Sequence, residues 1–334
     1  MTTSPASPLL SPEEIAVRAG QQIPFLRLPE RKTVFSAREM RLRALAAGHP
    51  MRDFLLFAAE LAQAQHRLLQ DYPDVPLPDV AALHAAAQAG ATPLPAATWP
   101  RAPQWRAQWR RMLDDLLPRL QGNPAQAAAA RLRRIDERAV ELQADRLLNN
   151  VMFGLDMAAA PVIAAGLQVY WTHMATALQE QMPDEAPFGR TVDATRCPCC
   201  GSLPTASVLR VDGNGNYRYL HCSLCAAQWH MVRIKCTHCE STKGIHYHAA
   251  QPAAGDGTQD GRHVIQAETC DECGHYLKIM RMDRDIAVEP AADDLATLTL
   301  DLLVSEAGYR RHGTNLMLLF GDPDGHDDGS GGGR

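Results

Sequence analysis

The sequence predicts an α+β protein: an all-α helical N-terminal domain, then a small β-rich zinc-ribbon module with two four-cysteine metal sites, then a C-terminal helix. Three observations predict it. Apolar residues recur at helical spacing through roughly the first 180 of the 334 residues. After the stretch Met182-Pro-Asp-Glu-Ala-Pro-Phe-Gly, short strand-like runs replace helices. All nine cysteines lie between Cys197 and Cys273, and eight of them form four Cys-x-x-Cys units. The expected divisions are a flexible N-terminus (1–20), a helical domain (21–185), a two-site metal module (186–290), a C-terminal helix with its extension (291–320) and a flexible acidic tail (321–334).

The helical part reads as follows. Ser36, with Glu39 three residues on, forms a capping box opening a helix to about Ala47. Gly48-His49-Pro50 breaks it. Phe54, Phe57, Ala58, Leu61, Ala62, Leu68 and Leu69 make the apolar face of a helix over 51–70, which the prolines of 71–78 end. Asp79 caps a short Ala-rich helix to about Ala89. Residues 104–121 and 125–148 form two amphipathic helices, the second with the stripe Leu132, Ile135, Ala139, Leu142 and Leu147. Residues 151–181 are apolar enough to be a buried helix bent at Pro161. Trp99, Trp105, Trp109 and Trp171 serve packing.

Strands are predicted at Thr205–Val211, Tyr217–His221, Trp229–Ile234, Ile245–His248, Val264–Glu268 and Tyr276–Arg281, with a tight hairpin at Asn214-Gly215 and a Gly-rich loop over 249–261. A last helix, capped by Asp294, runs to about Ala307 with Leu295, Leu298, Leu302 and Leu303 inward.

Composition narrows the function classes. With 46% apolar and 21% charged residues the chain is globular. No run of 18 apolar residues exists, so no membrane insertion is expected. Met1 to Leu10 lacks a basic region followed by an apolar core, so no secretory signal is read there and a cytoplasmic location is expected. Disulfides are rare in that compartment, so the cysteines need another role. Residues 1–190 carry 20 basic and 19 acidic side chains, 191–290 carry 10 and 11, and 291–334 carry 3 and 8. No segment is strongly basic, which argues against nucleic acid as a partner.

Two thiolates two residues apart can grip one ion from one tight turn, and two such units complete a tetrahedral four-sulfur site suited to zinc or iron. The candidate ligands are Cys197, Cys200, Cys222, Cys225, Cys236, Cys239, Cys270 and Cys273. Pairing in sequence order is favoured; a compact site from the two middle units and an interleaved arrangement stay open. Gly201 and Gly274 directly follow the outer units, where the turn needs positive φ. Ala226 and Glu240 follow the inner units, so those turns are expected to be less ideal. Cys199 is left over and is expected to point away from the metal. His221, His230, His238 and His275 lie near the units, as solvent-facing or structural residues in preference to ligands. A closed four-sulfur shell leaves no open position for hydrolysis. No His-Glu-x-x-His, P-loop or Gly-x-Ser-x-Gly is present, so no enzyme is expected. Two function classes stand beside that reading. One is a nucleic-acid-binding zinc ribbon, disfavoured because metal-bound thiolates bring the module to about −5. The other is a redox protein working through iron or Cys199.

The flanks of the units carry more. Arg196-Cys-Pro-Cys-Cys-Gly-Ser, Arg218-Tyr-Leu-His-Cys-Ser-Leu-Cys, Trp229-His-Met-Val-Arg-Ile-Lys-Cys and Glu268-Thr-Cys-Asp-Glu-Cys-Gly-His-Tyr-Leu-Lys resemble the FdhE family of formate dehydrogenase accessory proteins. So do Asp293-Asp-Leu-Ala-Thr-Leu-Thr-Leu-Asp-Leu-Leu and, in the helical half, Ile23-Pro-Phe-Leu, Arg41-Leu-Arg-Ala-Leu-Ala and the run from Phe54 to Gln65. The similarity covers about residues 15–320. It implies a cytosolic, non-catalytic assembly factor, or chaperone. Its partner would be the molybdenum- or tungsten-containing catalytic subunit of formate dehydrogenase, engaged before export by the twin-arginine route. It also implies a rubredoxin-like module with iron as the favoured metal and zinc as the alternative, held by the same eight cysteines. Homo-oligomerisation is left open. The chain departs from the family pattern at Cys199 and at Asn315-Leu-Met-Leu-Leu-Phe, where the family has an Asn-Pro-Phe start.

Overall fold

The computed structural model describes residues 23–123, 125–182, 186–212, 215–250 and 263–319. The expected flexible N-terminus, most of the 249–261 loop and the acidic tail lie outside these residues, as do positions 213–214 of the expected hairpin.

The chain enters as a two-residue strand, β1 (Leu26–Arg27), and then forms α1 (Val34–Ala46), α2 (Arg52–Gln70), α3 (Val80–Gln88), α4 (Gln104–Leu116), α5 (Ala125–Leu132), α6 (Glu137–Leu148) and α7 (Ala160–Gln181). Asp79 caps α3 as expected, accepting from Ala82 N at 2.8 Å. Three local expectations are corrected. Helix α1 begins before Ser36, whose hydroxyl bonds backward to the Thr33 carbonyl at 3.2 Å, so no capping box forms. The 125–148 helix is two, because the Asp136 carboxylate accepts from the Arg138 and Ala139 amides and starts a new helix there. That restart turns Val140, Ala144 and Leu147 inward and leaves Leu142 exposed. Helix α7 does not bend at Pro161. The proline sits in its first turn, where no backbone donor is needed.

Helix α7 is buried from Val162 to Leu178, as a helix apolar on all sides must be. Its buried Gln168 is satisfied by neighbours: Gln65 Nε2 donates to Gln168 Oε1 at 2.9 Å, and Gln168 Nε2 to the Ser223 carbonyl at 2.7 Å. Trp105, Trp109 and Trp171 are buried, and Trp99 is half-buried.

The second half contributes β2 (Pro204–Asp212), β3 (Gly215–Cys222), β4 (Gln228–His230), β5 (Ile245–His248), β6 (Ile265–Cys270), β7 (His275–Arg281), α8 (Pro290–Ala296), α9 (Leu298–Glu306) and β8 (Arg310–Arg311). One mixed sheet runs β1-β4-β3-β2-β7-β6-β5, with β8 also on β7. It consists of two antiparallel ribbons, β4-β3-β2 and β7-β6-β5. They are joined where Ser207–Leu209 pairs in parallel with Ile279–Arg281. β1 and β8 escape the sequence reading, because two-residue strands carry no periodicity. β1 closes the far edge, Leu26 opposite Trp229.

The expected last helix is two helices. Glu289, not Asp294, caps the first, accepting from Ala292 N at 2.7 Å. Asp294 is instead buried against Lys278 and Arg311, with Asp301 completing the cluster. The break at Thr297 puts Leu300 and Val304 inward and leaves Leu302 and Leu303 exposed. Arg38 to Glu289 and Arg41 to Asp293 and Asp285 tie α1 to α8 and the turn before it.

The main apolar core among the described residues runs from Phe35 through the helices to Cys197, Cys199, Cys200, Cys222, Leu224, Cys225 and Trp229, and on to Leu277 and Leu295; smaller clusters form around Tyr276 and around Met280. No described helix is long and apolar enough to cross a membrane.

Candidate metal centres

Four turns of the same design hold the eight cysteines. In three, the first cysteine's amide bonds the carbonyl five residues on: Cys197 to Ser202 at 3.0 Å, Cys222 to Ala227 at 2.8 Å, Cys236 to Ser241 at 2.7 Å. In the fourth, Cys270 lies opposite His275 in the β6–β7 ladder. Each turn closes through a residue in the left-handed region: Gly201 (φ 76°), Ala226 (φ 59°), Glu240 (φ 60°) and Gly274 (φ 66°). Glycine adopts this without cost, whereas Ala226 and Glu240 each carry a penalty of about 1–2 kcal/mol. The inner turns therefore keep the same closing conformation at the expense of strain. In them the amides of Leu224 and Cys225 lie 3.4 Å from Cys222 Sγ, and those of His238 and Cys239 lie 3.3 and 3.5 Å from Cys236 Sγ. Such donors favour the thiolate form.

The ribbons bring the turns together in sequence order. Cys197, Cys200, Cys222 and Cys225 form one group, and Cys236, Cys239, Cys270 and Cys273 the other; within each, the sulfurs lie within 4.8 Å of one another. Each group joins a turn before a hairpin to the turn that ends the hairpin's second strand. The compact and interleaved pairings are not what the fold assembles.

The distances fit an ion and are too long for disulfides. Sulfur separations are 3.5 Å for Cys197–Cys225 and Cys200–Cys222, and 3.7 Å for Cys200–Cys225, Cys236–Cys273 and Cys239–Cys270. A disulfide is about 2.05 Å long. Four sulfurs tetrahedrally about 2.3 Å from an ion stand about 3.8 Å apart. Both groups thus have the donor set and nearly the spacing that zinc or iron requires.

The groups differ in surroundings. The first is wholly buried. Leu94 and Ala96 donate to the carbonyls of Cys199 and Cys200 at 3.0 and 2.8 Å, stitching the turn to the segment before α4. Burial pushes the Cys222 thiol well up, reinforced by Cys197 and Cys200. For Cys197 burial acts the same way, but thiol donation from Cys199, Cys200, Cys222 and Cys225 overrides it and holds the group well below the ordinary thiol range. Cys199 is buried beside the group but is not one of its four sulfurs, and burial together with Cys197 pushes its thiol well up. The second group is open on one side, with Cys239 exposed and Cys273 half-buried. Beside it stand His238, His275 and His312, the first two with rings stacked at 3.7 Å.

One buried side chain that the sequence reading did not single out links the groups. Arg218 on β3 donates to Glu268 Oε1 at 2.6 Å, to Ser207 Oγ, and to the carbonyls of Arg233 and Lys235 at 3.2 and 2.9 Å. Glu268 is two residues before Cys270, and Lys235 immediately precedes Cys236. An arginine inside a strand flanked by Tyr217 and Tyr219 was the available signal.

Comparison with known proteins accounts for nearly the whole chain. Family models described as FdhE N-terminal, FdhE central domain and FdhE C-terminal domain match residues 23–186, 196–233 and 234–318. The Protein FdhE homolog of Yersinia enterocolitica is 36% identical over 321 residues, covering 95% of this chain and 98% of that one. That of Cronobacter sakazakii is 35% identical over 305 residues, covering 91% and 94%. The crystal structure of the FdhE protein from Pseudomonas aeruginosa superposes with a TM-score of 0.73 at 37% identity, covering 90% of this chain and all of that one.

Proposed function

Because the chain belongs to the FdhE family of formate dehydrogenase accessory proteins, we propose that it is a non-catalytic assembly factor. In this reading it engages the molybdenum- or tungsten-containing catalytic subunit of formate dehydrogenase in the cytosol before that subunit is exported. Cys197, Cys200, Cys222 and Cys225 hold one ion, and Cys236, Cys239, Cys270 and Cys273 a second. Iron in a rubredoxin-like environment is the favoured metal and zinc the alternative.

The observation that carries the reading is the joint occurrence of full-length family similarity and two closed four-sulfur groups at the spacing of a tetrahedral ion. Four thiolates fill the coordination of such an ion. It can then brace the fold or, as iron, exchange an electron, but it has no position for a substrate. The amides directed at Cys222 and Cys236 suit either role.

A clean deletion in the source organism tests the function. Respiratory formate oxidation is expected to disappear and to return with the gene, and the purified full-length chain is expected to capture the catalytic subunit. Undiminished formate oxidation in the deletion strain overturns the proposal. Metal analysis of anaerobically purified protein, with the ferric–thiolate absorbance, assigns the ions.

A further inference from the structure

The geometry points to a third metal position, formed by His238, His275 and Cys273 alongside the second four-cysteine group, with the Cys273 thiolate shared between two ions. A borderline divalent cation of the zinc class is the ligand it would take.

The three donor atoms lie within 4.8 Å of one another, close enough to face one ion. They project on the open side of the second group: His238 is exposed, and His275 and Cys273 are half-buried. Chelated ions can therefore enter from solvent, which the buried first group does not allow. His275 is oriented for the task. Its Nδ1 lies 2.8 Å from the Cys273 carbonyl. As the N–H donor there, Nδ1 leaves the lone pair on Nε2, the tautomer control that metal-binding histidines use. The His238 ring stacks face to face on it, 3.7 Å between centroids and 12° between planes, so the exposed His238 ring must turn out of the stack for both nitrogens to reach one ion. His312 packs edge-on to His238 with ring centroids 5.1 Å apart, and its buried Nε2 has no hydrogen-bond partner. A third imidazole thus offers one more nitrogen beside the group.

The chemistry fits a second ion better than a substitute ligand for the first. The four-sulfur shell is complete without the histidines, so nitrogen donors beside it are surplus to that ion. A thiolate keeps lone pairs after binding one metal and can bind another. Two imidazoles and a thiolate suit zinc, and three protein ligands leave a coordination position for water or an outside donor. The inference rests on the reading that both four-cysteine groups hold metal.

The test is metal stoichiometry on the full chain. Reduced, metal-free protein is unfolded in urea, refolded anaerobically in buffered zinc, dialysed to equilibrium against the same buffer and analysed for metal and protein. Three zinc ions per chain are expected. His238→Gln with His275→Gln should bind two, and His238→Gln alone, at an exposed position, should weaken the third ion at least tenfold while the other two stay bound. The control pair His246→Gln with His248→Gln should still bind three. A count of two in the unaltered chain overturns this proposal and leaves the four-cysteine reading standing; a count of zero overturns both. A third ion that persists without His238 and His275, or that disappears with His246 and His248, also overturns it.

Discussion

Replacing Arg218 with methionine should cost more stability than any surface change and should act first on the second metal group. The guanidinium is fully buried and its partner Glu268 nearly so, 0% and 3% side-chain exposure. Removing one partner of such a pair leaves the other charge buried without compensation, at about 3–5 kcal/mol. The same change strands the carbonyls of Arg233 and Lys235, so the segment entering Cys236 loses its anchor. Urea denaturation should show a lower midpoint with an unchanged slope, and metal analysis should show loss from one group of the two. Burial pushes Glu268 above the usual carboxylate range while Arg218 pulls it down. Without Arg218 only the Tyr247 hydroxyl opposes the upward push. A carboxyl whose folded-state pKa is raised contributes stability at low pH that is lost as pH rises through that pKa. The deficit of Arg218→Met should therefore be larger at pH 8 than at pH 5. Adding Glu268→Met should restore most of the loss, because an apolar pair replaces an orphaned charge. A single variant within about 1 kcal/mol of the parent, or a double variant worse than the single, refutes the reasoning.

Three other predictions follow from individual sites. At Gly166 a Cβ would lie 2.5 Å from Trp109 Cδ1, so Gly166→Ala should lower the unfolding free energy from urea denaturation by about 1–3 kcal/mol, the clash outweighing the ~1 kcal/mol of helix propensity it gains; a stabilised variant refutes the packing argument. His173 is held down to about 4 by burial and by the Arg31 charge, so its contribution is present above pH 6.5 and lost as pH falls toward 4, worth about 3 kcal/mol. His173→Gln should flatten that part of the stability profile, and an unchanged profile counts against the assignment. Iodoacetamide, followed by peptide mass spectrometry on the folded protein, should modify Cys239 and Cys273 well before the buried cysteines of the first group; uniform labelling of all eight would contradict the difference in enclosure.

The legible parts of the sequence are those with a strong local code. Asp79 before an Ala-rich run, prolines after Gln70 and Cys-x-x-Cys beside alternating strands each depend on neighbours a few residues away. The failures share a different cause. Nothing near Asp294 says that Lys278 and Arg311 will claim its carboxylate, so its local context reads as a cap where a buried ion cluster stands. The Leu302 and Leu303 stripe assumes an unbroken helix, and the break at Thr297 rotates it outward. Ala226 and Glu240 look unsuited to a left-handed turn, yet the metal-turn geometry imposes it. Pairing of the four cysteine units stays open in the sequence because it is decided by hairpins whose register only the whole sheet fixes.

Continuity of the apolar core into the first cysteine group has a kinetic consequence. An ion there is enclosed by Leu94, Trp171 and Trp229, so a chelator in solution meets it only after the helical body opens. Its residence time is then set by the rate of that opening rather than by the affinity of four thiolates, and loading must precede closure during folding. An ion in the second group, outside that core, would exchange on its own clock. One chain would then carry an ion acquired once per folding event and another that answers to the metal around it.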